Sequence, residues 1–151
     1  MRVDNWVILL GLFLVIFDFF VWEQIFFGKP DGNSEVYFLD VGQGDSELVI
    51  LPGGAKFLID GGPNNKTLNE LSRVLSSTDR YIDLVILSHP QLDHFGGLID
   101  VMKRYQVGAF IFNGRRGESA AFQDLEKIIK ENKIPSVVLA EGDKIKYVEN
   151  R

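Results

Sequence analysis

Apolar residues run almost unbroken from Trp6 to Phe27, interrupted mainly by Asp18, Glu23 and Gln24. Twenty-two residues at a helical rise of 1.5 Å cover roughly 33 Å, enough to cross a hydrocarbon core of about 30 Å. Residues 1–27 are therefore expected to form one N-terminal membrane anchor helix. The run ends in bulky Ile25, Phe26 and Phe27 and lacks the small-residue pattern of a cleavage site, which favours a retained anchor over a removed leader. A buried core helix is the competing reading, and the three polar interruptions argue for it. Within a span, Asp18 would have to lie near an interface, face a partner helix or be protonated. Arg2 before the run and Lys29 after it, with Asp4 opposing, give positive-inside counting a slight preference for a cytoplasmic N-terminus. The soluble domain is then extracytoplasmic and the protein single-pass. Residues 28–34, Gly28 to Ser34, read as a polar, turn-rich linker.

From residue 35 the pattern alternates between the two-residue period of strands and the three-to-four spacing of helices. Strands are expected over Glu35–Val41, Ser46–Leu51 and Lys56–Asp60, with Pro52-Gly53-Gly54 turning between the second and third. Leu68, Leu71 and Leu75 mark a helix over Thr67–Ser76. The run Leu84-Val85-Ile86-Leu87 makes Asp83–Ser88 a strand buried on both faces. Helix at Gly96–Tyr105, strand at Val107–Phe112, helix at Ser119–Asn132 and strand at Ile134–Ala140 follow, with a last strand at Lys144–Val148. Phe122, Leu125, Ile128 and Ile129 face inward, while Asp124, Glu126, Lys127, Lys130, Glu131 and Lys133 form a wet face on which Glu126 and Lys130 are paired by spacing. Strands first and strand-helix units after predict an α/β layered domain over 35–151, a mixed sheet covered by helices.

The composition agrees with a folded single domain: 46% of the 151 residues are apolar and 25% charged. Cysteine is absent, which excludes disulfides, cysteine nucleophiles and thiolate metal sites, so any metal must sit on nitrogen and oxygen. A net charge of −5 removes the case for a broad basic nucleic-acid surface and leaves open only a narrow site for a polyanion. Neither a G-x-x-x-x-G-K-S/T loop nor a G-x-S-x-G elbow occurs, so no nucleotide cofactor and no serine nucleophile is expected.

Both histidines fall within six residues, in Ser88-His89-Pro90-Gln91-Leu92-Asp93-His94-Phe95-Gly96-Gly97. They lie just after the buried strand and before a helix, where open α/β sheets place ligands. Alternate positions 89 and 91 can grip one ion, while 93 and 94 diverge toward a second. Two such ions can share a hydroxide that is nucleophilic at neutral pH. Arg115-Arg116, after Asn113-Gly114, could meet a phosphate, although a basic turn at a strand end usually faces solvent.

His89-Pro90-Gln91-Leu92-Asp93-His94 resembles the His-x-His-x-Asp-His signature of the metallo-β-lactamase fold superfamily. Together with Phe38-Leu39-Asp40-Val41-Gly42-Gln43-Gly44-Asp45-Ser46 and Leu58-Ile59-Asp60-Gly61-Gly62, it is similar to the metallo-β-lactamase-like domain of ComEC-type DNA-uptake proteins and their free-standing relatives. The resemblance implies an αββα layered sandwich preceded by one transmembrane helix, and divalent metal ions, zinc or manganese, two in the complete domain. It implies His89 and Gln91 at the first metal, and Asp93 and His94 at the second, Asp93 doubling as the catalytic carboxylate. Asp60 would orient a ligand from beneath the site, and Asp40, Gln43 and Asp45 would line the rim of the cleft. The implied activity is cleavage of a phosphodiester, with nucleic acid the leading substrate, or of another ester, by a metal-activated hydroxide and in connection with DNA uptake.

Two departures bear on this. Gln91 stands where the signature has its second histidine, a neutral and weaker donor that tilts selectivity toward manganese or a similar oxygen-loving ion. After His94 the chain has no histidine, whereas the family takes further ligands from a second half of the fold. The chain is therefore expected to be an N-terminal fragment holding only the first half, with weak ion binding and little turnover by itself. The alternative is a non-catalytic, membrane-tethered binding module with a degenerate metal site; hydrolysis of a β-lactam or thioester is the less favoured enzyme reading.

Overall fold

The computed structural model describes residues 5–27 and 32–148. Arg2, Asp4 and Lys29, on which the orientation expectation rests, lie outside the described residues, as do linker residues 28–31 and the terminal 149–151. The chain divides into two compact units between residues 32 and 33.

The first unit is helix α1, Asn5–Phe27. Its 23 residues give a rod of about 35 Å, and apolar side chains surround it rather than forming a stripe. None of Asn5–Glu23 is buried inside the protein, so the core-helix reading finds no support. Length and composition suit a membrane span, and a signal sequence at an N-terminus meets the same description.

The second unit is built on a six-stranded sheet in chain order. Strands β1 (Glu35–Phe38), β2 (Glu47–Ile50) and β3 (Lys56–Ile59) are antiparallel neighbours; β3, β4 (Tyr81–Leu87), β5 (Gln106–Phe112) and β6 (Ser136–Val138) are parallel. Connection length dictates this division. The 51–55 turn closes with Leu51 N–H donating to the Ala55 carbonyl at 2.8 Å, as antiparallel strands allow, whereas each parallel step needs a crossover. The crossovers are helices α2 (Lys66–Val74), α3 (Leu92–Arg104) and α4 (Ala120–Glu131). Their apolar stripes, including Leu71, Phe95, Leu98, Val101, Phe122 and Leu125, pack with Leu48, Leu58, Val85, Leu87 and Phe110 into one core. Phe95 and Phe122 meet edge to face at 5.3 Å between α3 and α4.

Strand register defines a second, apolar sheet face outside that core. Val36, Val49, Phe57, Leu84 and Ala109 stand in one row across five strands. Ile59, Ile86, Ile111 and Val137 stand in the next. This corrects the expectation for β4: Val85 and Leu87 are buried, but Leu84 and Ile86 on the opposite face are only half-buried.

Several elements also differ from expectation. β1 stops at Phe38 rather than Val41, because Val41 N–H turns back onto the Leu39 carbonyl and Gly42 and Gly44 adopt φ of 86°. α3 begins at Leu92, four residues before Gly96, so Asp93 and His94 stand in its first turn rather than in a loop. Lys144–Val148 forms no strand; no described strand pairs with it, and Ile145 and Val148 are exposed.

α4 starts where Ser119, in extended conformation, accepts the Phe122 N–H on its hydroxyl at 3.1 Å. Ser119→Ala is expected to cost about 1 kcal/mol, read as a lower urea midpoint with unchanged slope. An unaltered midpoint would show that this cap contributes nothing.

Candidate metal centre

The centre forms where β3 and β4 end side by side. Pairing of Ile59 with Ile86 continues as Asp60 N–H donates to the Ile86 carbonyl at 2.8 Å. Asp60 then turns the chain with φ of 55°, a left-handed conformation that aspartate tolerates better than most residues. Gly61 N–H donates to the His94 carbonyl at 2.6 Å and Gly97 N–H to the Gly62 carbonyl at 3.0 Å, stitching this turn to the start of α3. The approach is close enough that a side chain at Gly97 would meet the carbonyls of Gly61 and Asn64. The Asp-Gly-Gly turn and the helical Gly-Gly pair are thus two sides of one contact.

Asp60 is 3% exposed, and both its carboxylate oxygens accept hydrogen bonds. Oδ1 accepts the Ser88 N–H at 2.8 Å; Oδ2 accepts the Ser88 hydroxyl at 2.5 Å and His94 Nδ1 at 2.8 Å. An ionised carboxylate only accepts, so Nδ1 of His94 carries its proton and Nε2 is left for another partner. The His89 ring lies 3.9 Å from that of His94, centroid to centroid. His89 Nδ1 is 2.9 Å from Ser88 Oγ, and Nε2 is 3.1 Å from Gln91 Oε1.

Ligand atoms of Asp60, His89 and His94 lie within 4.8 Å of one another. With three hydrogen bonds already on its two oxygens, Asp60 is better placed to orient the histidine than to ligate. The donors that remain, two imidazoles and an amide oxygen, are of the nitrogen and oxygen types that divalent ions take. Metal bonds of 2.0–2.2 Å set adjacent ligand atoms roughly 3 Å apart, the separation that His89 Nε2 and Gln91 Oε1 already have.

The other expected site residues are distributed around this group. Asp45 Oδ2 is 4.0 Å from His94 Nδ1 and mostly exposed. Asp40 and Gln43 are exposed on the same loop, and no hydrogen bond joins them to either histidine among the described residues. Gly44 of that loop abuts the Asp93 backbone, and a Cβ there would collide with the Asp93 carbonyl. Asp93 itself is half-buried, and its carboxylate stands outside the cluster of Asp60, His89 and His94. Arg116 is committed elsewhere: its guanidinium grips Glu126 through two bonds of 2.5 and 2.6 Å, holding that carboxyl below its ordinary range. Glu126 therefore pairs with Arg116 rather than with Lys130, as its spacing had suggested.

Three polar residues near the site were not among the expected ones. Ser88 touches both Asp60 and His89. Asn113 Nδ2 donates to the Ser88 carbonyl at 2.9 Å from the end of β5, a contact set by the pairing of Leu87 with Phe112. Glu47 has its carboxyl pushed up by burial first, then by Asp45 and Asp60, with His94 pulling the other way. A carboxyl raised on folding contributes stability below its unfolded pKa, and that contribution is lost as pH rises through its folded value. Glu47→Gln is thus expected to raise Tm at neutral pH, the gain shrinking on acidification; a Tm difference independent of pH would contradict this.

Residues 39–144, more than two thirds of the chain, match the family model of the metallo-beta-lactamase superfamily. A Caenorhabditis elegans protein described as "Beta-lactamase-like protein 2 homolog" is 33% identical over 61 residues, covering 39% of this chain and 21% of that protein. The matched stretch thus spans about a fifth of the length of that relative.

Proposed function

Because the chain belongs to the metallo-β-lactamase superfamily, whose members are for the most part hydrolytic metalloenzymes, we propose that it is a membrane-anchored, metal-dependent hydrolase. The observation carrying this reading is the cluster of Asp60, His89 and His94, whose ligand atoms lie within 4.8 Å of one another, with Gln91 Oε1 beside His89 Nε2 and the buried Asp60 orienting the His94 ring. These three side chains would hold a divalent ion, zinc or manganese, with the amide oxygen favouring the harder ion. When bound, such an ion polarises an ester and lowers the pKa of water. The chain's own part is to orient: Asp60 holds the His94 ring, and Gly44 and Asp45 lie beside Asp93 and His94. Asp93, in the first turn of α3, would serve a second ion and the reacting group.

For substrate we infer a phosphodiester, with nucleic acid first, in a ComEC-type role in DNA uptake. The support is the joint occurrence of the Phe38–Ser46, Leu58–Gly62 and His89–His94 blocks. A net charge of −5 does not oppose this, since bound cations supply local positive charge. The length and apolarity of α1 support a single-pass anchor, and the slight positive-inside bias of Arg2 would put the sheet domain outside the cytoplasm. The second reading, a tethered module without turnover, is favoured by Gln91, a neutral donor at a ligand position.

The test is hydrolysis by the full chain in detergent, with manganese or zinc, of a chromogenic phosphodiester, a β-lactam and a thioester. Metal-dependent turnover of the phosphodiester alone supports the proposal. Ion binding without turnover of any substrate favours the tethered module, and turnover of the β-lactam or thioester alone overturns the substrate assignment.

A further inference from the structure

We propose that Ser88 is a positioning residue which decides the nitrogen that His89 presents to the metal. This rests on the reading of His89 and His94 as ligands. Counting protons leads to it. The Asp60 carboxylate can only accept, and Ser88 Oγ stands 2.5 Å from its Oδ2. A hydroxyl has one proton, and here it goes to Asp60. Toward His89 Nδ1, 2.9 Å away, Ser88 Oγ therefore presents a lone pair. Nδ1 of His89 must then carry the ring proton, which leaves Nε2 bare in the neutral ring.

One buried carboxylate thus sets both rings. It acts on His94 directly at 2.8 Å and on His89 through the serine hydroxyl, and both Nε2 atoms end with their lone pairs free. A neutral imidazole without such a partner mixes its two tautomers, and a protonated Nε2 cannot ligate. His89 Nε2 stands 3.1 Å from the Gln91 amide oxygen, the separation that two donors on one ion would have. The Ser88 backbone is held at two points, its N–H donating to Asp60 Oδ1 and its carbonyl accepting from Asn113.

The experiment uses the full chain, nitrogen-15 labelled and metal-free, in detergent at alkaline pH. Long-range proton-nitrogen spectra identify the protonated nitrogen of each histidine. Both rings are expected as Nδ1–H. In Ser88→Ala, His89 is expected to become a tautomer mixture while His94, still on Asp60, stays unchanged; zinc affinity by calorimetry falls about tenfold. Ser88→Thr, which keeps the hydroxyl, is expected to restore both. A wild-type His89 protonated on Nε2, or a His89 still wholly Nδ1–H in the alanine variant, overturns the proposal. Should the alanine variant fail to fold, the wild-type and threonine spectra decide it. Tautomers as stated in a chain that binds no zinc would uphold the Ser88 assignment and overturn the metal reading alone.

Discussion

Alanine in place of Gly97 is expected to destabilise the sheet domain by about 3 kcal/mol or more, a large part of the roughly 5–15 kcal/mol that holds a domain folded. Ordinary helix propensity predicts the opposite sign, since glycine inside a helix costs about 1 kcal/mol relative to alanine. Tertiary contact decides between them. A Cβ at Gly97 would run into the carbonyls of Gly61 and Asn64 and the hydroxyl of Thr67. Two of those atoms are backbone and cannot swing aside as a flexible side chain would. Relief requires α3 to lift from the Asp-Gly-Gly turn, breaking the bonds from Gly97 N–H to Gly62 and from Gly61 N–H to His94. Overpacking in cores typically costs 1–3 kcal/mol, and rigid neighbours raise the figure. Urea unfolding measures it; a midpoint at or above that of the unsubstituted chain would mean that the close approach of α3 to this turn is wrong.

His89→Ala is expected to weaken binding of manganese and zinc by at least about a hundredfold, beyond the 10–100-fold typical of losing a residue that only supports a ligand. It removes one of two imidazoles from a set of three donors whose third is an uncharged amide. His89 is the cleaner target of the pair, because its ring is more open to solvent than that of His94. His94→Ala would also deprive a buried carboxylate of a donor, costing about 1–3 kcal/mol and confounding binding with folding. Calorimetry of the full chain in detergent gives the comparison. Equal affinities with and without the His89 imidazole would remove the metal from this loop.

Both expectations turn on features that were legible in the chain to different degrees. The short connection at residues 51–55 and the helical stripe Phe122, Leu125, Ile129 are local patterns, and β2, β3 and α4 formed within a residue or two of the ranges they indicated. α3 begins at Leu92 rather than at Gly96, because Leu92 to Phe95 read locally as part of the loop that carries the histidines. The glycines in fact lie inside the helix, where close packing on residues 61–64 outweighs their low propensity. Glu126 was paired with Lys130 on helical spacing alone, while the residue that grips it, Arg116, comes from a loop ten positions earlier.

The order of side chains along the chain by itself determined that β1 to β3 turn back on one another, that later strands alternate with helices, and that two imidazoles share one short segment. Each of these follows from interactions between residues close in sequence. Only the tertiary structure decided what those imidazoles face. Asp60 is 28 residues from Ser88 and 34 from His94, and Asn113 is 25 from Ser88. Those bonds exist because β3, β4 and β5 run parallel with Ile59 beside Ile86 and Leu87 beside Phe112. Shifting that register by one residue would turn the Asp60 carboxylate to the other face of the sheet, away from both rings.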